Sequence, residues 1–201
     1  MNLTIKPKNK SLSYLEIDDI QWGILPNKIL RFFSITESSD FIREDEQQKI
    51  IIELQKYAYS RTISYLAQRE RSEKEVKNYL HSLRFHHTII ESTITKLLEQ
   101  NYLNNDRFAE LLTNDLIAKK KSSKEIYYKL LEKGISAELA HSTLQKCYPD
   151  NSQIITEVME KAIRKYQNHL KQKEKVIAYM FRKGFSYDEI VNNLNREMNE
   201  Y

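Results

Sequence analysis

Apolar positions in this chain recur at a fixed interval. Shifting the sequence by 50 and then 100 positions superposes them without a gap. Ala58, Phe108 and Val158 align, as do Leu66, Leu116 and Tyr166, then Val76, Ile126 and Val176. Leu80, Leu130 and Met180 follow, then Phe85, Ile135 and Phe185. Ile90, Ala140 and Ile190 come next, and Ile94, Leu144 and Leu194 close the register. A repeat of this length marks a modular architecture. Within each copy the apolar pairs Val76/Leu80, Ile126/Leu130 and Val176/Met180 stand four apart, which places them on one helix face. The spacing predicts three helices per copy. The first covers 46–69, 106–120 and 153–169; the second 73–83, 123–133 and 172–183; the third 87–100, 137–147 and 187–199. Helices this short are marginal alone, so each must bury its apolar stripe against its neighbours.

Punctuation supports the same division. "SEKE" (Ser72–Glu75), "SSKE" (Ser122–Glu125) and "SYDE" (Ser186–Glu189) read as capping boxes, in which serine and glutamate satisfy free amides at a helix start. Two of only three glycines, Gly134 in "KLLEKGIS" and Gly184 in "YMFRKGFS", occupy one setting. That setting is a helix end followed by a left-handed residue, which glycine adopts without steric cost. Ser136 or Ser186 then caps the next helix. In the first copy, "YLHSLRFH", Arg84 takes the glycine's place at a cost of about 1 kcal/mol.

The first 45 residues follow another pattern. β-branched and aromatic residues, Pro7, and the turn-like "KNK" and "DD" predict short strands near 3–6, 12–17 and 20–24. A short helix from Pro26 to Phe33 follows, then a polar connector from Ser34 to Asp40. The fold class is therefore mainly α: three tandem three-helix bundle repeats in an elongated arrangement, with a short strand-containing N-terminal segment. The expected divisions are 1–45, 46–103, 104–150 and 151–201, with modest contacts between successive bundles.

The single Cys147 permits no internal disulfide and suits a reducing cytoplasm. No apolar run reaches the roughly 18 residues of a membrane span. Isolated glycines exclude a phosphate-cradling loop. His86 and His87 are adjacent, so on a helix they diverge and do not chelate one metal in the usual way. Cys147 aligns with Leu97 and reads as a small buried hydrophobe. Tyr65 and Tyr127 suit core or boundary packing better than base stacking. The expectation is a protein without catalytic activity, metal or cofactor.

The net charge of +4 is modest. By segment it is −1 over residues 1–50, +2 over 51–100, +1 over 101–150 and +2 over 151–201. The basic residues gather where the first helix of each copy meets the second: "QRERSEK" (Gln68–Lys74), "AKKKSSK" (Ala118–Lys124) and "HLKQKEK" (His169–Lys175). Solvated turns would explain one such stretch easily and three less so; an edge facing a polyanion or a partner is the other reading.

"YLAQRERSEKEVKNYL" (Tyr65–Leu80), "LLEQNYLNNDRFAELL" (Leu97–Leu112) and "KEIYYKLLEKGIS" (Lys124–Ser136) resemble the signature segments of the RecX family, regulators of the RecA recombinase. The resemblance covers 57–199. Ser122 stands where the family commonly has glycine, Glu125 where it has a basic residue, and Asn101 and Arg84 where glycine is common. The resemblance implies a non-enzymatic inhibitor that binds RecA and its single-stranded DNA filament, in the groove. Such an inhibitor suppresses ATPase, strand exchange and co-protease activity, and so acts on homologous recombination, DNA repair and the SOS response. It implies a monomer without cofactor, with direct DNA contact left open and no membrane. The candidate contacts are Arg69, Arg71 and Lys74 in the first joint, Asp106 and Arg107 in "NNDRFA", Lys119, Lys120, Lys121 and Lys124 in the second joint, and Lys171, Lys173 and Lys175 in the third. The alternative is a stand-alone DNA-binding protein of the helix-turn-helix kind, and behind it a scaffold for another protein.

Overall fold

A computed structural model of the chain describes residues 1–35, 41–148 and 151–199, without the side chains of 151–152 and 195–199. Most of the expected polar connector, at 36–40, lies outside the described residues. The chain divides into two compact units, Met1–Asn104 and Asn105–Tyr201.

The first unit opens with three antiparallel strands in sequence order, β1 (Leu3–Pro7), β2 (Leu12–Ile17) and β3 (Ile20–Pro26). β2 alternates strictly, burying Ser13, Leu15 and Ile17 and leaving Leu12, Tyr14 and Glu16 half-covered, as a sheet with one face on a core requires. A short helix α1 (Asn27–Phe32) precedes α2 (Glu44–Leu66), α3 (Glu73–Ser82) and α4 (His87–Glu99). Leu3, Leu15 and Leu25 from the strands share one apolar core with Leu54, Val76, Leu80 and Ile90 from the helices. Gly23 makes this possible. Its φ is +146°, and a Cβ there would stand 2.5 Å from Cδ1 of Phe85. The Phe85 ring fills the space that a side chain on β3 would need.

The second unit holds α5 (Asn105–Ala118), α6 (Ser123–Glu132) and α7 (Ala137–Cys147), then α8 (Asn151–Tyr166), α9 (Gln172–Arg182) and α10 (Tyr187–Asn199). Each trio encloses its own cluster of buried residues, and Ile117 and Tyr148 pack against both clusters. The helices fall where the sequence period puts them, within three residues at every end. Of the aligned apolar columns, only Leu66, Tyr166 and Leu144 fall short of burial, and these are half-buried. Cys147, expected to be buried, is half-exposed at the last residue of α7, where the helix runs out of neighbours.

All three second helices end alike. The amides of Arg84, Gly134 and Gly184 donate three residues back, to the carbonyls of His81, Leu131 and Phe181. The amides of Phe85, Ile135 and Phe185 donate five back, to Leu80, Leu130 and Met180. This is the Schellman pairing, with φ of 60° at Arg84, 83° at Gly134 and 87° at Gly184. The following apolar residue is driven into the core: Phe85, Ile135 and Phe185 are all buried. The same pairing ends α1 at Ser34, α4 at Asn101 and α5 at Lys120, each with φ near +55°. The Arg84 guanidinium lies 4.8 Å from the Tyr14 ring centre, a cation–π contact that offsets part of its backbone strain.

The sheet is locked to α4 at His86. Its amide donates to the Trp22 carbonyl at 3.1 Å, and its ring stacks on Trp22 with centroids 4.5 Å apart. Burial, and secondarily the neighbouring His87, lower its pKa. The unfolded chain therefore takes up a proton that the folded chain resists, and stability falls as pH drops below about 6.5. Thermal unfolding against pH should show this decline and lose most of it in His86→Gln; an unchanged profile would contradict the account. Gly23→Ala is expected to cost roughly 2 kcal/mol or more in urea unfolding, because Phe85 must move and the backbone is strained. A loss below a few tenths would show that the ring is not seated there.

Candidate partner-binding joints

In the first joint, Arg69 grips Glu75 with two hydrogen bonds of 3.1 and 3.0 Å and also donates to the Glu70 carbonyl. Donating to the Glu75 carboxylate raises the Arg69 pKa. Arg71 lies over Tyr65, 4.0 Å from its ring centre, and Tyr65 stacks on Tyr79 at 4.2 Å. The two arginines are thus set by a carboxylate and by an aromatic stack. Lys74 is exposed in the first turn of α3. Ser72 is buried and its hydroxyl accepts from the Glu75 amide at 3.2 Å.

The second joint is built against the third repeat. Ser122 accepts from the Glu125 amide, its hydroxyl donates to the Gly184 carbonyl at 2.8 Å, and its amide donates to the Lys183 carbonyl. The donation from the Ser122 amide to the Glu125 carboxylate that a capping box requires gives way to this bond. A Cβ on Gly184 would stand 2.5 Å from the Ser122 hydroxyl, so that glycine serves a close approach as well as a helix end. Tyr148 donates to the Lys121 carbonyl at 3.0 Å, and burial pushes its pKa up to about 12, which keeps the donor proton in place.

The lysines of this joint meet carboxylates: Lys119 with Asp115 at 2.6 Å, Lys120 with Glu157 at 2.5 Å, and Lys121 with Glu125 at 2.5 Å. Lys119 and Lys120 remain substantially exposed, and such pairs are worth at most about 1 kcal/mol, so a stronger anion can draw them away. Two residues absent from the sequence-level candidates join them. Lys161 and Lys183 line the same pocket of about 330 Å³ as Lys119 and Lys120. Only the fold brings α8 and the end of α9 to this joint. Lys124 is exposed beside it.

The third joint differs. Lys171 takes the cap position of α9 without a side-chain cap, its amide donating to His169 Nδ1 at 3.3 Å. Lys171, Lys173 and Lys175 are exposed, as is Leu170. Asp106 is exposed and Arg107 half-buried in the first turn of α5, one face of which is tied to α7 by Lys146–Glu110. Among the described residues, no group of three His, Cys, Asp or Glu is placed to hold a metal, and no helix is long and apolar enough to cross a membrane.

Known proteins share this fold. Residues 58–97 match the family model of the first three-helix domain of RecX, and residues 150–191 that of the third. A regulatory protein RecX of Streptococcus mutans is 29% identical over 195 residues, covering 94% of this chain and 74% of the relative. That of Clostridium acetobutylicum is 32% identical over 141 residues, covering 67% and 65%. The crystal structure of RecX from Lactobacillus salivarius superposes with a TM-score of 0.60 at 27% identity, over 71% of this chain and 95% of the other. The chain belongs to the RecX family. A second RecX crystal structure, at 20% identity, extends the likeness of fold to 96% of this chain and 98% of the other, with a TM-score of 0.64. The three-stranded start of the chain thus falls within the RecX likeness, alongside the helical repeats.

The two buried serines separate the capping role from the contact between repeats. Ser72→Ala removes a cap and should cost about 1 kcal/mol, whereas Ser122→Ala also removes the bond to Gly184 and should cost about 2 kcal/mol. Equal losses in urea unfolding would show that the Gly184 contact contributes nothing.

Proposed function

We propose that this chain is a regulator of RecA that binds the RecA–single-stranded DNA filament as a monomer in the cytoplasm. There it inhibits ATP hydrolysis, strand exchange and co-protease activity without catalysing a reaction of its own. The reading rests on membership of the RecX family. The observation that carries the physical part is the second joint, where Lys119 and Lys120 share a pocket with Lys161 and Lys183. Four ammonium groups against the two carboxylates of Asp115 and Glu157 leave a positive excess to which phosphates or an acidic protomer face are attracted. A body bound across neighbouring protomers favours one filament conformation over the others. ATP turnover, which requires motion between them, is opposed by that difference in affinity. Lys124 and the exposed Lys171, Lys173 and Lys175 extend the attraction. Arg69, Arg71, Lys74, Asp106 and Arg107 supply shape and hydrogen bonding, since their side chains are held by local contacts or lie at helix starts.

Charge reversal at Lys119, Lys120 and Lys121 should abolish inhibition of DNA-stimulated RecA ATPase. Reversal also sets like charges against Asp115, Glu157 and Glu125, so the triple glutamine variant is the fold control. It is expected to keep full helicity and lose most of the inhibition. If the glutamine variant inhibits as well as the unaltered chain, the site assignment is wrong. Tight, sequence-selective binding to duplex DNA without RecA would instead replace this reading with that of a stand-alone DNA-binding protein.

A further inference from the structure

A groove of about 620 Å³ lies in the second unit, on a different set of residues from the lysine pocket. It runs between α6 of the second repeat and the α9–α10 turn of the third, closed at its floor by Gly184, Phe185 and Ser186. Three of the chain's exposed large aromatic side chains line it: Tyr128 at 59% exposure, Phe181 at 47% and Tyr187 at 59%. None belongs to a buried cluster, so folding does not account for them. The Phe181 and Tyr187 rings are parallel to within 19°, yet their centroids are 6.4 Å apart, against 4.2 Å for the packed pair Tyr65–Tyr79. A flat ring stacks at about 3.4 Å, the rise per base of a nucleic-acid strand. Both rings are about half exposed, so each keeps a face on which such a ring can stack.

The charges along the groove are unequal. Lys129 is paired with Glu132, and Glu125 with Lys121. Lys124 and Arg182 have no carboxylate partner among the described residues. Parallel aromatic faces beside unpaired cations suit a flexible strand of unpaired bases, which stacks its bases and places its phosphates on the cations. A duplex, with its bases already stacked on one another, offers nothing to the rings.

We propose that this groove is a single-stranded nucleic-acid site, in which Phe181, Tyr187 and Tyr128 stack bases and Lys124 and Arg182 take the adjoining phosphates. It adds to the reading above a direct contact with the strand, resting on that reading only for the identity of the strand as DNA. RecA is not needed for its test.

The unaltered full chain is titrated into a fluorescein-labelled oligo(dT) without RecA, and anisotropy is followed at several salt concentrations. Binding should be independent of sequence, and unlabelled single strands should compete better than duplex of equal length. Phe181→Ala with Tyr187→Ala should weaken binding about 10-fold or more, while Phe181→Trp retains it and shows fluorescence quenching on binding. Lys124→Ala with Arg182→Ala should lower the slope of log affinity against log salt by about 1.4, for two phosphates. All four side chains are exposed, so melting temperatures should stay unchanged. The site is overturned if the double aromatic variant binds as tightly as the unaltered chain, or if duplex competes equally well. It is also overturned if the chain binds an acidic, aromatic-containing peptide but no oligo(dT). Loss of oligo(dT) binding with ATPase inhibition intact in the Phe181→Ala, Tyr187→Ala variant separates this site from the second joint; loss of inhibition in the joint variant with oligo(dT) binding intact separates them the other way.

Discussion

The architecture depends on one backbone manoeuvre: a helix of about ten residues stops at a residue with positive φ, and the next side chain turns back into the core. Two hydrogen bonds to the last carbonyls close the helix end, and Phe85, Ile135 or Phe185 becomes the keystone of its bundle. Without the left-handed residue the chain would continue outward, and the third helix of each repeat would have no floor. The manoeuvre is made three times at the second helix, and again at Ser34, Asn101 and Lys120. Only two of these six positions hold glycine. At the other four the steric cost of about 1 kcal/mol or more is carried by surrounding contacts, visibly so at Arg84, which lies over Tyr14.

The same geometry shapes the joints. Lys120 is itself left-handed, so the lysine run of the second joint bends sharply and sends Lys120 to Glu157 while Lys119 stays on its own helix with Asp115. Ser122 then begins the next helix at a distance from Gly184 that tolerates no Cβ. The positive charge of the joint is consequently presented by two repeats together, and Lys161 and Lys183 become part of it. A stretch that reads as a simple basic loop is in the fold a pocket with walls.

The helical plan was legible because its signals agree: a period of apolar positions, serine caps, and glycines at helix ends. Arg84 could be read as left-handed only because the repeat aligns it with Gly134 and Gly184; outside that register a non-glycine residue at positive φ is not visible, since nothing in "AKKKSS" distinguishes Lys120 from its neighbours. The sheet was legible as strands, but not its partner; that Gly23 leaves space for Phe85 joins residues far apart in the chain. The lysine pocket and the aromatic groove were missed for a related reason. Phe181 and Tyr187 follow no shared sequence pattern, and their parallel setting exists only once α9 and α10 are joined at Gly184. Ion pairing is likewise a property of the fold, which shows the basic joints to be more nearly balanced than a count of lysines suggests.

If the proposed attraction runs through the exposed, loosely paired lysines, the association weakens as salt rises. The direct test is to titrate the purified chain into preformed RecA–single-stranded DNA filaments, following ATP hydrolysis and filament length in one experiment. The account predicts that hydrolysis falls in step with occupancy and that the effect fades as salt is raised. Unchanged hydrolysis on filaments saturated with the chain would contradict it.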